Sequence, residues 1–319
     1  MLEAIKNFTA QFKYQPKIIN KNKYKAAKKF IVLGMGGSHL AADVLAGAQP
    51  QLKIVIHKNY GLPNLDDKEL KESMIIASSY SGNTEEVIDG FKKALAKKLN
   101  VVAIATGGKL ITLAKKYKRP YIELPKTGIQ PRSALGFSLR GLLKIMGQNK
   151  ILKETEIVSQ LKATNYQGRG QKLAKLLKNH VPIIYVSDSN EALAYNWKIK
   201  FNETGKIPAF YNTVPELNHN EMTGFDVVAK NRQLSNKFSF IFLSDREDHP
   251  QNIKRLQVLA KLYKKRNLPI TSIVLNGQNK WLKIFGNLLI ADWAAYYTAL
   301  GYGRDPEPVP MVEEFKKMI

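Results

Sequence analysis

The stretch Met74–Val87, MIIASSYSGNTEEV, constrains the fold more tightly than any other part of the chain. Met74-Ile75-Ile76-Ala77 is a short apolar run of the kind that forms a buried strand. Ser78, Ser79, Ser81 and Thr84 then cluster around Gly82 and Asn83. Glu85-Glu86-Val87 open a helical pattern that runs on through Ile88, Phe91 and Leu95. The stretch therefore reads as strand, hydroxyl-rich turn and helix. A helix N-terminus presents unpaired backbone N–H groups and the positive end of a dipole. Hydroxyls around that end add donors without adding charge, which makes an anion site suited to a phosphate monoester. An ordinary N-cap, with Thr84 capping and Glu86 in the first turn, needs a single hydroxyl. This turn supplies several.

The same unit recurs along the chain. Phe30-Ile31-Val32-Leu33 is an apolar strand that runs into Gly34-Met35-Gly36-Gly37-Ser38 and a helix, His39 to Ala48. The glycines match a dinucleotide fingerprint only in part, because His39 stands where a third glycine belongs. No acidic residue closes the next strand, Lys53–His57, so the pattern argues against a nicotinamide cofactor. Gly36 and Gly37 are expected to let the backbone approach a sugar or its phosphate. Strands at Val101–Ile104 and Tyr121–Leu124 follow, with a helix near Leu110–Lys116 between them. Pro131-Arg132-Ser133-Ala134 opens a further helix through Met146.

Polar residues Gly147–Lys150 mark a boundary, giving expected domains of 1–149 and 150–319. Two helices, Ile151–Ala163 and Gln171–Lys178, precede a renewed alternation. Strands are expected at Pro182–Val186, Phe240–Leu243 and Ile273–Leu275, with helices Glu191–Glu203, Gln251–Lys265 and Lys280–Leu300. A last helix, Val312–Met318, follows Pro306, Pro308 and Pro310. Such alternation specifies an α/β fold with mostly parallel sheets, whose ligands sit at the carboxyl ends of the strands. Residues Met1–Lys29 are expected to form a basic amphipathic helix and a tether.

Fifty Lys and Arg against 26 Asp and Glu give a formal charge of +24. The lysines lie beside apolar residues at helical spacing, as in Phe91-Lys92-Lys93-Ala94-Leu95, which reads as a solvated helix face rather than a nucleic-acid surface. No helix-turn-helix, RNP or zinc-finger signature accompanies the charge. With no cysteine, disulfides and thiolate metal sites are excluded. No run is long and apolar enough for a membrane span, and no export signal opens the chain, so a cytoplasmic protein is expected.

Two segments of the second half carry concentrated chemistry. Glu203 ends a helix in Phe201-Asn202-Glu203-Thr204-Gly205. Pro215-Glu216-Leu217-Asn218-His219-Asn220-Glu221 then places a histidine among acids and amides, a density costly to bury. Carboxylate and imidazole suit general acid–base work. The H-x-E pair of His219 and Glu221 has the spacing of a zinc deaminase but lacks its cysteine pair, so no metal site is expected.

Taken together, Gly34–Ser38 and Ser79–Glu85 resemble the sugar isomerase (SIS) domain. Pro131–Ala134, Asn202-Glu203, Pro215–Glu221 and Asp305-Pro306-Glu307-Pro308 sharpen the resemblance to the bifunctional phosphoglucose/phosphomannose isomerases of archaea and bacteria. It covers the chain from about Ile31 onward. It implies two tandem SIS domains and interconversion of glucose 6-phosphate, and mannose 6-phosphate, with fructose 6-phosphate through a cis-enediol. By similarity Ser38, Ser79, Ser81 and Thr84 hold the phosphate, with Gly36 and Gly37 close to the substrate. Glu203 moves the proton between C1 and C2, and Arg132 stabilises the enediolate. His219 helps open the ring and is donated across the interface of a homodimer. Lys316, on the last helix, assists. No cofactor or metal is implied.

Overall fold

The structure is a computed structural model and describes residues 1–318. The chain divides into two compact units, Asn7–Leu161 and Met1–Lys6 with Lys162–Ile319. The first helix, α1 (Leu2–Lys6), belongs with the second unit. Ile5 is buried there, and the Met1 ammonium pairs with Glu307.

The unit Asn7–Leu161 is built on β1 (Lys29–Leu33), β2 (Lys53–His57), β3 (Ser73–Ser78), β4 (Asn100–Ala105) and β5 (Tyr121–Glu123). All its strands are parallel, in the order β2-β1-β3-β4-β5. Its helices are α2 (Leu40–Ala48), α3 (Asp67–Glu72), α4 (Glu85–Ala96), α5 (Gly108–Lys116), α6 (Leu135–Ile145) and α7 (Asn149–Glu154). Central β3 is buried at every position, as its unbroken apolar run predicts, while edge strand β2 leaves Val55 exposed. Ile31, Leu33, Ile75, Ala77, Val101 and Ala103 share one face with Val87, Phe91 and Leu110 of α4 and α5. On the other face α6 lies against β4, with Gly141 beside Ile104, and α2 packs on α6.

The expected N-terminal amphipathic helix is confined to the single turn of α1. After α1 the chain runs as 3₁₀ turns, Phe8–Lys13 and Lys21–Lys23. Buried Gln11 explains the departure. Its Nε2 donates to Ser133 O at 2.7 Å, and its Oε1 accepts from Gly136 N and Phe137 N at 3.0 and 3.3 Å. A side chain from a distant segment thus caps α6, whose own N-cap, Ala134, cannot. The division between the units falls after Leu161, later than the expected 149/150. Buried Arg140 is the reason. Its guanidinium donates to Leu152 O at 3.0 Å, Thr155 Oγ1 at 3.1 Å and Glu156 Oε1 at 3.1 Å, keeping that segment with α6. The polar run Gly147–Lys150 is only the bend after α6 and the first residues of α7.

The other unit carries β6 (Val181–Ser187), β7 (Phe210–Val214), β8 (Phe238–Ser244) and β9 (Ile270–Val274), parallel and in the order β7-β6-β8-β9. Its helices are α8 (Gln167–Leu176), α9 (Glu191–Glu203), α10 (Glu221–Gly224), α11 (Arg232–Ser235), α12 (Pro250–Lys265), α13 (Lys280–Gly301) and α14 (Pro310–Met318). Ile183, Tyr185, Phe240 and Phe242 pack on Leu256, Leu259 and Tyr263 of α12. Long helix α13 packs on α8 and α9. Among the described residues, no helix is long and apolar enough to cross a membrane.

Candidate active site

In each sheet the connections leave in opposite directions from two adjacent strands, β1 and β3 in one, β6 and β8 in the other. A crevice opens outside the carboxyl ends of such a strand pair, and ligands of open α/β sheets bind there. The chain therefore offers two candidate crevices.

In the unit Asn7–Leu161 the crevice is flanked by the loop after β1, Gly34–His39, and the turn after β3, Ser79–Thr84. Two hydrogen bonds join them: Tyr80 N donates to Ser38 Oγ at 2.9 Å, and Ser78 Oγ to Ser38 O at 3.2 Å. Because Ser38 Oγ accepts there, its own proton stays available for an anion. Ser79 is fully buried, with its Oγ 2.7 Å from Thr84 Oγ1 and accepting from Gly82 N at 3.1 Å. Its hydroxyl faces the inside of the turn and braces Thr84. Ser81 is exposed and Thr84 half-buried. Thr84 occupies the N-cap position of α4, but its side chain makes no cap hydrogen bond. The plain capping alternative therefore does not describe this turn.

Gly37 differs from its expected use. A Cβ there would lie 2.6 Å from Arg132 N and 2.8 Å from Pro131 C, so its missing side chain admits the backbone of the Pro131–Ser133 turn. Gly36 has φ +50° and open space where a Cβ would stand. Arg132, 1% exposed, is thereby seated next to the Ser38 loop. Ser38, Ser79, Ser81, Thr84, Gly36, Gly37 and Arg132 thus gather at one end of one sheet.

One contributor was missed in the sequence. Thr106, at the end of β4, donates from both N and Oγ1 to Tyr80 O at 2.9 and 2.8 Å, bracing the hydroxyl turn from the side. The signal was Thr106-Gly107-Gly108 at a strand end.

The crevice between β6 and β8 carries a buried carboxylate of the chain itself. Asp248, in the loop after β8, is buried, and its Oδ1 accepts from Ser187 Oγ at 2.6 Å, Ser189 Oγ at 2.7 Å and Asn190 Nδ2 at 3.0 Å. Asp245, from the same loop, pairs with buried Lys283 at 2.7 Å. The hydroxyls that could greet a phosphate are spent on a carboxylate of the chain itself. With those donors engaged, the first crevice suits a phosphate ester better than this one.

The remaining candidates lie on the second unit. Glu203 is the last residue of α9 and half-buried. Lys206 Nζ donates to Glu203 O at 2.6 Å and also bonds Pro308 O, which ties the helix end to the proline-rich segment. His219 is exposed at the end of a 3₁₀ turn, Glu216–His219. Lys316 is exposed on α14 and pairs with Glu313 at 2.9 Å. Among the described residues no three His, Cys, Asp or Glu side chains gather as a metal site.

Residues 167–319 match the family described as bacterial phospho-glucose isomerase C-terminal SIS domain. A bifunctional phosphoglucose/phosphomannose isomerase of Caldicellulosiruptor bescii is 30% identical over 309 residues, covering 91% of this chain and 89% of its own. Another, from Thermoplasma volcanium, is 32% identical over 295 residues, covering 91% of each chain. The solved structure of a glucosamine-6-phosphate deaminase from Thermotoga maritima shares the fold, with a TM-score of 0.69 at 18% identity and 97% of each chain covered. The hydroxyl-lined crevice and the likeness over nearly the whole length lead to one conclusion: the chain belongs to the bifunctional phosphoglucose/phosphomannose isomerase family.

Proposed function

We propose that the chain interconverts glucose 6-phosphate and mannose 6-phosphate with fructose 6-phosphate, in the cytoplasm and as a homodimer. The observation that carries the reading is the contrast between the two crevices, one lined with hydroxyls, the other with its hydroxyls engaged by Asp248. The substrate's phosphate binds Ser38, Ser81, Thr84 and the first amides of α4, with Ser79 holding Thr84 in place. The partner subunit's His219 opens the ring. Glu203 takes the C2 proton and the electron pair moves to the carbonyl oxygen at C1; a proton then passes from the C2 hydroxyl to that oxygen, and Glu203 returns its proton to C1 as the C2 carbonyl forms. Arg132 stabilises the oxyanion, and Lys316 assists. The redox change is internal to the sugar, so atoms and electrons balance without a cofactor.

Purified protein given glucose 6-phosphate or mannose 6-phosphate should form fructose 6-phosphate from both, read by a coupled assay. Sugar-phosphate binding without turnover would instead mark a sensor built on the same fold.

Ser81→Ala and Thr84→Ala should mainly raise KM. Each removes a hydrogen bond to a charged group, worth roughly 1.5–3 kcal/mol. Phosphate contacts persist from ground state to transition state, so they count as uniform binding. A fall in kcat at unchanged KM would remove the phosphate from this turn. Since a chain of formal charge +24 attracts an anionic substrate, kcat/KM should also decline as salt rises. A flat salt profile would deny the net charge any part in capture.

A further inference from the structure

The segment that carries His219 is held by a carboxylate with two dedicated donors. Glu221 Oε1 accepts from the Tyr185 hydroxyl at 2.6 Å, and Glu221 Oε2 from Asn212 Nδ2 at 2.6 Å. Tyr185 and Asn212 are register partners on β6 and β7, so their side chains stand side by side on one face of the sheet. Together they make a fork that matches the two oxygens of one carboxylate. Tyr185 is itself fixed. It is fully buried, with Phe240, Phe242 and Tyr263 around it at centroid distances of 5.6, 5.5 and 6.2 Å. Burial, together with Tyr263 and Glu221, pushes its phenol far above the ordinary value, so it remains a proton donor at any working pH.

The few residues around His219 are clamped to this anchor. Asn220 Oδ1 accepts from Glu221 N at 2.6 Å, and Asn220 Nδ2 donates to Glu216 Oε1 at 2.7 Å. Leu217 is buried, and Arg255 Nη1 reaches Asn218 Oδ1 at 3.4 Å. Among the described residues the His219 ring has no hydrogen-bond partner. Its direction is inherited from the backbone, and the backbone takes its place from Glu221.

We propose that Glu221 is a positioning residue for His219, aiming the imidazole at the ring oxygen of the sugar through the Tyr185–Asn212 fork. The proposal rests on the reading of His219 as the ring-opening group. Misplacing a reacting group by about 1 Å costs up to about 100-fold, so loss of the anchor should be visible in ring opening and not in phosphate binding.

Ring opening can be followed apart from proton transfer, as catalysed exchange between the α and β anomers of glucose 6-phosphate by NMR. Wild type should catalyse it. His219→Ala should lose it. Glu221→Gln, which puts an amide N–H where a second acceptor oxygen is needed, should lose about 10–100-fold. The binding constant for glucose 6-phosphate should stay as in wild type. The double variant His219→Ala/Glu221→Gln should be no slower than His219→Ala, since the two act as one unit. Should Glu221→Gln not fold, Asn212→Ala carries the test. It removes one donor on an edge strand and should slow anomer exchange several-fold, on the order of one lost hydrogen bond.

Slow exchange in His219→Ala beside wild-type exchange in folded Glu221→Gln and Asn212→Ala overturns this proposal alone. So does a double variant whose losses multiply. Wild-type exchange in His219→Ala overturns the role of His219 and this proposal with it.

Discussion

Glu203→Gln should lower kcat by about 10²–10⁴-fold, the usual loss when a positioned general base is removed. That corresponds to roughly 3–5 kcal/mol in the barrier. The substitution keeps shape and volume while removing the charge and the proton affinity. KM should hardly change, because Ser38, Ser81 and Thr84 belong to a different unit from Glu203 and still hold the phosphate. Folding should be little affected. The main chain at Glu203 is held by Lys206 Nζ at 2.6 Å on its carbonyl, a bond that the substitution leaves intact. The diagnostic measurement is exchange of the C2 proton of glucose 6-phosphate with deuterium from solvent, which should vanish with isomerisation. Exchange near the wild-type rate in the folded variant would move the base elsewhere. Glu216 is then the next candidate. Glu221 is a poor one, since both its oxygens are already engaged by Tyr185 and Asn212.

Elements whose pattern is carried by their own residues were legible. Helix Glu191–Glu203 falls where expected, and β1, β3, β4, β6 and β8 lie within a few residues of their apolar runs. Strand β7, Phe210–Val214, was not foreseen. It sits at an edge, keeps only Val214 buried, and places Asn212 and Thr213 in mid-strand, so no apolar run announces it. Helix α3, Asp67–Glu72, buries a single residue, Leu70, and was missed for the same reason.

The site shows a similar division. A hydroxyl-rich turn after a strand is a local pattern, and local patterns survive folding. Which hydroxyl faces the solvent is a tertiary matter, and there Ser79 turned inward while Ser81 stayed out. Gly37 meets Pro131–Arg132, residues far along the chain, so no spacing could reveal its neighbour. That Asp248 engages the hydroxyls of the second crevice was equally invisible, because Ser187 and Asp248 come together only when β6 and β8 pair. The early break of the N-terminal helix belongs here too. Gln11 looks unremarkable in sequence, yet its amide serves α6.

Lys200→Met should destabilise the protein by about 3–5 kcal/mol, the cost of breaking a buried ion pair by removing one partner. Lys200 Nζ lies 2.5 Å from Asp292 Oδ1, and the two residues are 2% and 5% exposed. Met matches the lysine stem, so the packing between α9 and α13 is kept while the ammonium is withdrawn from a carboxylate that burial shields from water. The double variant Lys200→Met/Asp292→Leu should recover most of the loss, because a buried pair often adds little over apolar residues of similar size. Urea unfolding measures both, provided the slopes match wild type. The pair has a functional address as well. Lys200 stands one turn before Glu203 on α9, so it anchors the helix just where the base leaves it. The double variant should therefore fold well yet show whether anchoring by charge matters. If the polar pair only fills space, kcat returns with stability. If it fixes the azimuth of α9, kcat stays low in a stable protein, because apolar side chains allow small rotations that a 2.5 Å hydrogen bond does not. A Lys200→Met variant as stable as wild type would contradict the burial argument at its root.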